Sequence, residues 1–293
     1  MSNIIRLLLT SLRPKQWSKN LLVFAGYLFT IEQGHPPVVF AKAVAAFAVF
    51  CAISGAGYIF NDIFDATRDR KHPRKRKRPI ASGELKPSTA ILFALVLTAL
   101  SVAASFYLNL FFGLLTTVYF LLTLAYSAFL KHIVIVDLLV IAAGFVIRAA
   151  AGAVVIDVTI SPWLLVCTTL LALFLGLAKR RGEMVNLENG GIECRKILDE
   201  YTAPMLDQML NIAASASLMA YFLYTFTPAS TTGKAHPYMM ITVPFVIYGL
   251  FRYLFLVHSK NAGDSPEQLL IEDRPLLINV VLYVIAVIVA LKV

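Results

Sequence analysis

The sequence predicts an all-α integral membrane protein, and three observations predict this class. Hydrophobic residues make up 59% of the 293 positions and charged residues only 15%, which is far more apolar than a soluble domain. Nine apolar stretches follow one another, and Lys and Arg cluster in alternate segments between them. Because only helices and closed barrels satisfy every backbone polar group in lipid, apolar stretches of about 17 to 25 residues are expected to cross as helices.

Each apolar stretch is predicted to form one transmembrane helix of a single catalytic domain, residues 1–293. No long repeat, low-complexity tract or soluble domain interrupts the pattern. The predicted spans run approximately over Trp17–Ile31, Val38–Phe60, Ser88–Leu108, Leu110–Phe129, Val134–Ile156, Trp163–Ala178, Ala203–Phe226, Tyr238–Val257 and Leu276–Leu291.

The charges predict the orientation. With the N-terminus inside, 22 of the 26 Lys and Arg residues fall in cytoplasmic segments, as the positive-inside rule requires, and Arg148 lies within a span. Of the 17 acidic residues, 15 fall on the same side. The outer charges are Lys42, Lys234, Lys292, Glu32 and Asp157. We expect a multi-pass protein of the cell membrane with a cytoplasmic N-terminus, an outer C-terminus and cytoplasmic chemistry. The net charge of +9 is then a topology signal and does not indicate nucleic-acid binding.

The stretch NDIFDATRDR, residues 61–70, places oxygen ligands at the end of the second apolar stretch. Positions four apart share a helix face, so Asn61, Asp65 and Asp69 form a stripe with Asp62 at its edge. Mg²⁺ is usually held by one or two carboxylates together with substrate phosphates. The spacing predicts a site for Mg²⁺ and a diphosphate, with Asn61, Asp65 and Asp69 as catalytic metal ligands. The alternative is a solvated helix end that only fixes the topology.

A dense basic run, KHPRKRKRPIASG, follows at residues 71–83. Pro73 and Pro79 prevent a continuous helix, so we expect a loop that can fold back over a cytoplasmic mouth. Lys75 and Arg78 are candidates for binding phosphate there, and the alternative for each is a topology signal.

These motifs resemble the UbiA-type prenyltransferase superfamily. NDIFDATRDR is similar to the first Asp-rich motif of that superfamily, NDxxDxxxD, and RPIASG follows it as expected. The resemblance covers essentially the whole chain. It implies nine transmembrane helices around a cytoplasm-facing cavity that binds Mg²⁺ and a diphosphate.

The second Asp-rich motif of the superfamily is replaced here. After the sixth stretch the chain reads LAKRRGEMVNLE, with Lys179, Arg180 and Arg181 where carboxylates are expected and Glu183 as the nearest acid. Arg and Lys cannot chelate a second metal but can hold another phosphate. The alternative is a cytoplasmic anchor of the span. Together with LRPKQWSKNLLVFAGYLF, LKH and VIRAAAG, this segment resembles the decaprenyl-phosphate phosphoribosyltransferase branch.

That branch implies transfer of 5-phosphoribosyl from phosphoribosyl pyrophosphate to a polyprenyl phosphate. Pyrophosphate leaves, and the product is a polyprenylphosphoryl-5-phosphoribose for arabinan-type glycans of the cell envelope. Three phosphate centres would meet in one cavity, which fits a site with more cations and fewer metal ligands. Mg²⁺ would act as a Lewis acid on the leaving pyrophosphate.

The resemblance also implies roles for single residues. The residues expected to contact phosphoribosyl pyrophosphate are Lys19, Tyr58, Asp62, Lys75, Arg78, Lys179, Arg180 and Glu183. Lys75, Arg78, Lys179 and Arg180 are candidates for the 5-phosphate or the lipid phosphate, and which of them binds which phosphate stays open. Lys19 is equally expected as an inner anchor, and Tyr58 equally as a core aromatic. Lys131 and Arg148 are assigned to the lipid phosphate, because an Arg deep in a span is functional by default. For Arg148 a structural carboxylate partner is the alternative.

Two other functions remain open at this point. A prenyltransferase that attaches a polyprenyl chain to an aromatic acceptor is disfavoured by the basic second motif. A transporter would need polar residues along a route to the outer face, and the outer halves of the stretches are almost wholly apolar. The sequence is compatible with a homo-oligomer and does not require one.

Overall fold

A computed structural model of the chain describes residues 2–73, 75–188, 196–227, 237–259, 269 and 272–292. Within these residues the secondary structure is helical, with no strand. The all-α class predicted from the sequence is therefore confirmed for this part of the chain.

The helices follow one another with short connections. The α-helices are α1 (Ser2–Ser11), α2 (Ala25–Phe29), α3 (Pro37–Phe64), α4 (Ala66–Asp69), α5 (Pro87–Leu108), α6 (Leu110–Ala128), α7 (Val136–Val155), α8 (Pro162–Glu188), α9 (Ala203–Phe226), α10 (Val243–Ser259) and α11 (Arg274–Lys292). The 3-10 segments are Pro14–Phe24, Ile31–Gln33, Lys75–Lys77, Leu130–His132, Lys196–Glu200 and Pro237–Thr242.

In the described part of the chain, eight helices are long and apolar enough to cross a membrane. They are α3, α5, α6, α7, α8, α9, α10 with the residues from Tyr238 onward, and α11. Each corresponds to one predicted span, from Val38–Phe60 to Leu276–Leu291. The chain is accordingly a multi-pass membrane protein.

The first predicted span, Trp17–Ile31, is not one of these helices. The structure has the 3-10 segment Pro14–Phe24 and the five-residue helix α2 in its place. The reason lies in the sequence, because the apolar run after Asn20 is only eleven residues, Leu21–Ile31, and contains Gly26. A continuous spanning helix needs about 20.

The chain forms two compact units. The first unit contains residues 1–25, 37–140 and 147–157, and the second contains residues 26–36, 141–146 and 158–293. The acidic motif and the loop after it belong to the first unit. The basic motif of α8 belongs to the second.

Helix α3 is the axis of the first unit. It packs against α1, α5, α6 and the segment Pro14–Phe24. Small residues permit these contacts, because a Cβ added at Gly55 would lie 2.7 Å from Leu12 Cδ2 and one at Gly57 would lie 2.8 Å from Thr123 Cγ2. The core at this end of α3 includes Leu12, Ala56, Ile59, Ile80, Leu85, Ala90 and Ala94.

The segment Pro14–Phe24 runs antiparallel to α3. Asn20 Nδ2 donates to Ser54 Oγ at 3.2 Å, in the middle of α3. Four residues later the Phe24 ring lies 5.5 Å from that of Phe47 and 6.3 Å from that of Phe40, near the start of α3. This stretch of 3-10 backbone therefore lies along a transmembrane helix of the same unit.

Charges in the first unit sort to the two ends of α3. Lys42 Nζ lies 3.4 Å from Asp157 Oδ2 near the start of α3, and both residues were predicted to be outer charges. The predicted cytoplasmic residues Arg13, Arg78 and Lys131 pair with carboxylates at the opposite end. Of the Lys and Arg residues counted above, the outer Lys234 and the inner Arg74, Arg195 and Lys260 lie outside the described residues.

The second unit is tied together by ion pairs. Arg181 Nε donates to Asp207 Oδ1 at 2.5 Å and its Nη1 to the Val257 carbonyl oxygen at 3.4 Å, which joins α8 to α9 and α10. Arg252 binds Asp273 with two hydrogen bonds of 3.2 and 2.8 Å, and so joins α10 to the start of α11.

We predict that Gly152→Ala destabilises the protein. A Cβ at this position of α7 would lie 1.9 Å from the Val23 carbonyl oxygen, so two backbones must separate. We expect a loss of about 3 kcal/mol, at the upper end for overpacking, measured as a lower thermal midpoint in detergent. Gly249→Ala is the matched control, since its Cβ would approach only the side-chain amide of Asn279, at 3.1 Å. Equal midpoints for the two variants would contradict this packing.

Candidate functional site

The acidic motif lies where α3 ends. Helix α3 stops at Phe64, Asp65 takes a non-helical conformation with φ −94° and ψ 1°, and α4 carries Asp69. Backbone hydrogen bonds bridge the interruption, because the Asp65 amide donates to the Asn61 carbonyl at 3.0 Å and the Asp69 amide donates to the Asp65 carbonyl at 2.8 Å. The acidic residues thus follow a nearly helical path with one break.

Asp62 and Asp69 share one cation. Arg78 Nη1 lies 3.0 Å from Asp62 Oδ1 and 2.5 Å from Asp69 Oδ2. Both aspartates are 2% exposed. Seven residues are close to two helical turns, which brings the two carboxylates to the same face. The structure therefore pairs Asp69 with Asp62, which the sequence placed only at the edge of the stripe.

Asp65 has a different partner. Lys131 Nζ donates to Asp65 Oδ1 at 2.7 Å, and Lys131 is 6% exposed. Lys131 lies in the 3-10 segment Leu130–His132 between α6 and α7, 66 residues from its partner. The residue predicted to hold the lipid phosphate therefore lies beside the acidic motif.

The loop after the motif folds back onto the end of α3. Ile80 and Leu85 are buried in the core of the first unit. The Leu85 amide donates to the Pro79 carbonyl at 2.9 Å, and Arg70 Nε donates to the Ala81 carbonyl at 3.3 Å. These contacts fix the backbone around Arg78, so its guanidinium reaches the two buried carboxylates.

Arg13, the second residue of the stretch LRPKQWSKNLLVFAGYLF, had no predicted role of its own at this site. Its guanidinium forms an ion pair with Asp62 Oδ1, and its Cζ lies 5.0 Å from the centroid of the Tyr58 ring. Tyr58 precedes Asp62 by four residues and shares its face of α3. The position of Arg13 directly before Pro14, with the acidic motif far away in the chain, gave no sequence signal of this contact.

Two other residues of the first unit, Lys19 and Lys75, were predicted to bind phosphoribosyl pyrophosphate. Each forms a hydrogen bond to a neighbour in its own segment of the chain. Lys19 Nζ donates to Gln16 Oε1 at 2.5 Å, within the segment Pro14–Phe24. The Lys75 amide donates to His72 Nδ1 at 3.2 Å, within the loop after the motif. Binding of phosphate by these two residues stays a prediction.

Arg148 lies deeper along the spans than the carboxylates. Its Nε donates to Asn20 Oδ1 at 2.8 Å, its Nη2 to the Tyr119 hydroxyl at 2.6 Å, and it is 5% exposed. Asn20 also bonds to Ser54, which is eight residues or about 12 Å from Asp62 along α3. Arg148 is therefore joined to the non-α segment and to α6 at mid-span.

Two arginines of the basic motif in the second unit, Arg180 and Arg181, have different partners. Arg180 is 1% exposed, and its Nη1 donates to Glu183 Oε2 at 2.7 Å, one turn further along α8. Arg181 is the ion-pair partner of Asp207 and holds helices together. Binding of donor phosphates by Lys179, Arg180 and Glu183 stays a prediction.

The carboxylates of the first unit fit a divalent cation that takes some ligands from a phosphate. Arg78 already places a positive nitrogen between oxygens of Asp62 and Asp69. Within the described ranges, no three Asp, Glu, His or Cys side chains lie close enough to hold a metal ion alone. Mg²⁺ usually needs only one or two carboxylates when phosphates complete its shell. The arrangement suits a metal that arrives together with a diphosphate.

Comparison with known proteins identifies the family of this chain. The profile of the UbiA prenyltransferase family matches residues 20–271. A decaprenyl-phosphate phosphoribosyltransferase of Mycolicibacterium smegmatis is 34% identical over 284 residues, 94% of this chain and 89% of the relative. One of Corynebacterium glutamicum is 33% identical over 290 residues, 97% of this chain and 86% of the relative. The resemblance predicted from the motifs is confirmed.

Solved structures share the fold. A UbiA homologue from Archaeoglobus fulgidus, solved with GPP and Mg²⁺, superposes with a TM-score of 0.73 and 19% identity. The match covers 98% of this chain and 100% of that one.

We predict that Arg78→Gln destabilises the metal-free protein and increases its response to Mn²⁺. The variant leaves two buried carboxylates without their shared cation, at a cost of about 3 kcal/mol, the lower end for a broken buried pair because Arg78 is partly exposed. Mn²⁺ can then take the vacated position. We expect Mn²⁺ to raise the thermal midpoint of this variant more than that of the unmodified protein.

Arg76→Gln is the control, because Arg76 is exposed in the same loop. Equal Mn²⁺ responses of Arg78→Gln and the unmodified protein would contradict the shared position.

Proposed function

The chain belongs to the UbiA prenyltransferase family, and from this premise we propose that it is a polyprenyl-phosphate phosphoribosyltransferase. It transfers 5-phosphoribosyl from phosphoribosyl pyrophosphate to a polyprenyl phosphate of the decaprenyl type and releases pyrophosphate. The product, polyprenylphosphoryl-5-phosphoribose, supplies arabinan-type glycan synthesis in the cell envelope. The observation that carries the proposal is the identity of about a third, over nearly the whole chain, to proteins named for this activity.

The basic motif of α8 supports this choice over prenyl transfer to an aromatic acceptor. Lys179, Arg180 and Arg181 follow one another where the superfamily has its second acidic motif. Without carboxylates there, a second metal has no ligands of the usual kind, whereas an additional phosphate has cationic partners. A donor with a 5-phosphate and a phosphate acceptor bring such additional groups.

When the donor binds, basic side chains that pair with the acidic motif turn to phosphate oxygens. Arg78 would move its hydrogen bonds from Asp62 and Asp69 to diphosphate oxygens, and Lys131 would turn from Asp65 to the lipid phosphate. Asp65 and Asp69, with Asn61, would then hold Mg²⁺. Asp62 is a further candidate ligand, since it shares Arg78 with Asp69. Bound Mg²⁺ supplies Lewis-acid stabilisation of the leaving pyrophosphate. Tyr58, on the Asp62 face of α3, and Lys19 orient the donor.

The lipid phosphate attacks the anomeric carbon of the donor. An oxygen of this phosphate forms the new bond to C1 while the bond from C1 to pyrophosphate breaks, and the bonding electron pair leaves with pyrophosphate. No general base is required, because a phosphate acceptor is already ionised near pH 7. Of the two residues predicted for this phosphate, Lys131 lies at the acidic motif, whereas Arg148 is joined through Asn20 to Ser54, which is about 12 Å from Asp62 along α3. The geometry favours Lys131.

The arrangement in the membrane follows from the same proposal. The segment Pro14–Phe24 and α2 make a ninth crossing in addition to the eight apolar helices, and the donor site at the end of α3 opens to the cytoplasm. The N-terminus is cytoplasmic, the C-terminus lies outside, and residues 1–293 act as one catalytic domain in the cell membrane. The antiparallel run of Pro14–Phe24 along α3 supports the ninth crossing.

A transfer assay tests the proposed function. Purified protein in detergent receives labelled phosphoribosyl pyrophosphate, Mg²⁺ and polyprenyl phosphates of several lengths. We expect label to enter the lipid extract only when both Mg²⁺ and a polyprenyl phosphate are present. A parallel reaction with a polyprenyl diphosphate and an aromatic acid tests the competing prenyl transfer. Product in that reaction alone, or in neither, would overturn the proposal.

We predict that Asp65→Asn reduces turnover at least about 100-fold, because one metal-binding carboxylate is lost. The thermal midpoint should fall, because the buried Lys131 loses its negative partner, but by less than in Arg78→Gln, because the Asn amide oxygen can still accept the hydrogen bond from Lys131. Glu84→Gln, at an exposed position after the basic loop, should keep full activity. Near-normal rates for Asp65→Asn would remove this residue from the site.

A further inference from the structure

Arg13 has a backbone conformation that an arginine rarely adopts. Its φ and ψ are 51° and 64°, in the left-handed region, between α1 and the segment Pro14–Phe24. A residue before proline normally prefers an extended conformation, and glycine is the residue that enters the left-handed region without strain. Strained positions of this kind concentrate at functional sites. Something other than the local backbone must therefore favour arginine at this position.

The side chain of Arg13 offers that reason. Its guanidinium pairs with Asp62 and stacks on the Tyr58 ring. The Arg13 side chain is 23% exposed, whereas that of Asp62 is 3% exposed. Arg13 therefore reaches from the edge of the unit into the buried end of α3 and contacts two residues on one helix face.

The two guanidinium groups on Asp62 are held differently. Arg78 lies on a loop, and its Nη1 contacts both Asp62 and Asp69. Arg13 is held by its ion pair with Asp62 and by an aromatic ring at the same time. When Arg78 turns to a diphosphate, Asp62 loses one of its two arginine partners. Only the ion pair with Arg13 would then fix the orientation of this buried carboxylate. A buried charge that loses its partners is strongly unfavourable.

We propose that Arg13 is a positioning residue of the donor site. It keeps the Asp62 carboxylate and the Tyr58 ring in fixed orientations on α3, so that both meet the metal-bound diphosphate while Arg78 changes partners. This inference rests on the proposed function for the identity of the diphosphate donor. It does not require Arg13 to touch the donor.

Three substitutions separate this role from a purely structural one. Arg13→Gly removes the side chain and relieves the backbone strain, whereas Arg13→Gln removes the charge and keeps the strain. Arg13→Lys keeps the charge without the planar group that stacks on Tyr58. Arg6→Gln is the control, because Arg6 is an exposed residue of α1. All variants are made in the full chain.

Binding of Mn²⁺ with inorganic pyrophosphate is the readout, measured by equilibrium dialysis as the manganese on the protein side in excess of that on the protein-free side, because pyrophosphate itself complexes free Mn²⁺. We expect Arg13→Gly and Arg13→Gln to weaken Mn²⁺ binding in the presence of pyrophosphate by at least about 10-fold, the usual effect of removing a group that orients a metal ligand. Arg13→Lys should recover part of the loss, and Arg6→Gln should bind normally. The thermal midpoint of Arg13→Gly should equal or exceed that of Arg13→Gln.

Normal Mn²⁺ and pyrophosphate binding by Arg13→Gly and Arg13→Gln would overturn the inference, as would a defect in Arg13→Gln alone. The transfer assay separates this result from the proposed function. If Arg13 controls Mn²⁺ and pyrophosphate binding but no ribosyl label enters lipid, the inference stands and the assigned reaction fails. If transfer occurs and the Arg13 variants bind normally, the reaction stands and the inference fails. Absence of binding by the unmodified protein would overturn both.

Discussion

The bridge from Arg78 to Asp62 and Asp69 is the interaction on which the rest of the site depends. Two carboxylates at the end of an apolar helix are tolerable only with cations beside them, because an unpaired charge in a low-dielectric setting is costly. The basic loop folds back onto the end of α3 and buries Ile80 and Leu85, and this brings Arg78 to the two carboxylates. Arg13 and Lys131 complete the neutralisation of the motif from two further segments of the chain.

This balance of charges determines which ligands the site favours. Three carboxylates and three basic side chains are paired with one another in the first unit. A metal ion alone would meet carboxylates already engaged, and a diphosphate alone would meet basic groups held by carboxylates. A diphosphate with its metal can satisfy both sets at once. The pairing thus favours joint binding of the two.

The sequence predicted the features that depend on neighbouring residues or on a pattern repeated along the chain. Apolar runs predicted eight helices that the structure contains, and the spacing of the acidic motif predicted carboxylates gathered at a helix end. The spacing did not predict the break at Asp65, nor that Asp65 pairs with Lys131 while Asp62 and Asp69 share Arg78. Such partners are chosen by tertiary packing.

The segment Pro14–Phe24 shows a second limit of sequence reasoning. The apolar stretch Trp17–Ile31 predicted a crossing, and the contacts of Asn20 and Phe24 follow α3, yet the backbone of Pro14–Phe24 is 3-10 rather than α. Arg148 and Asn20 bond to each other from positions 128 residues apart. No periodicity relates two such residues, so the link between the deep arginine and this segment required the structure.

The most direct test of the account is an anomalous-difference map of the protein crystallised with Mn²⁺ and pyrophosphate. We expect a manganese peak within bonding distance of carboxylate oxygens of the acidic motif, with the Arg78 guanidinium turned to a pyrophosphate oxygen. A map with Arg78 still between Asp62 and Asp69, and with manganese and pyrophosphate bound elsewhere, would contradict it.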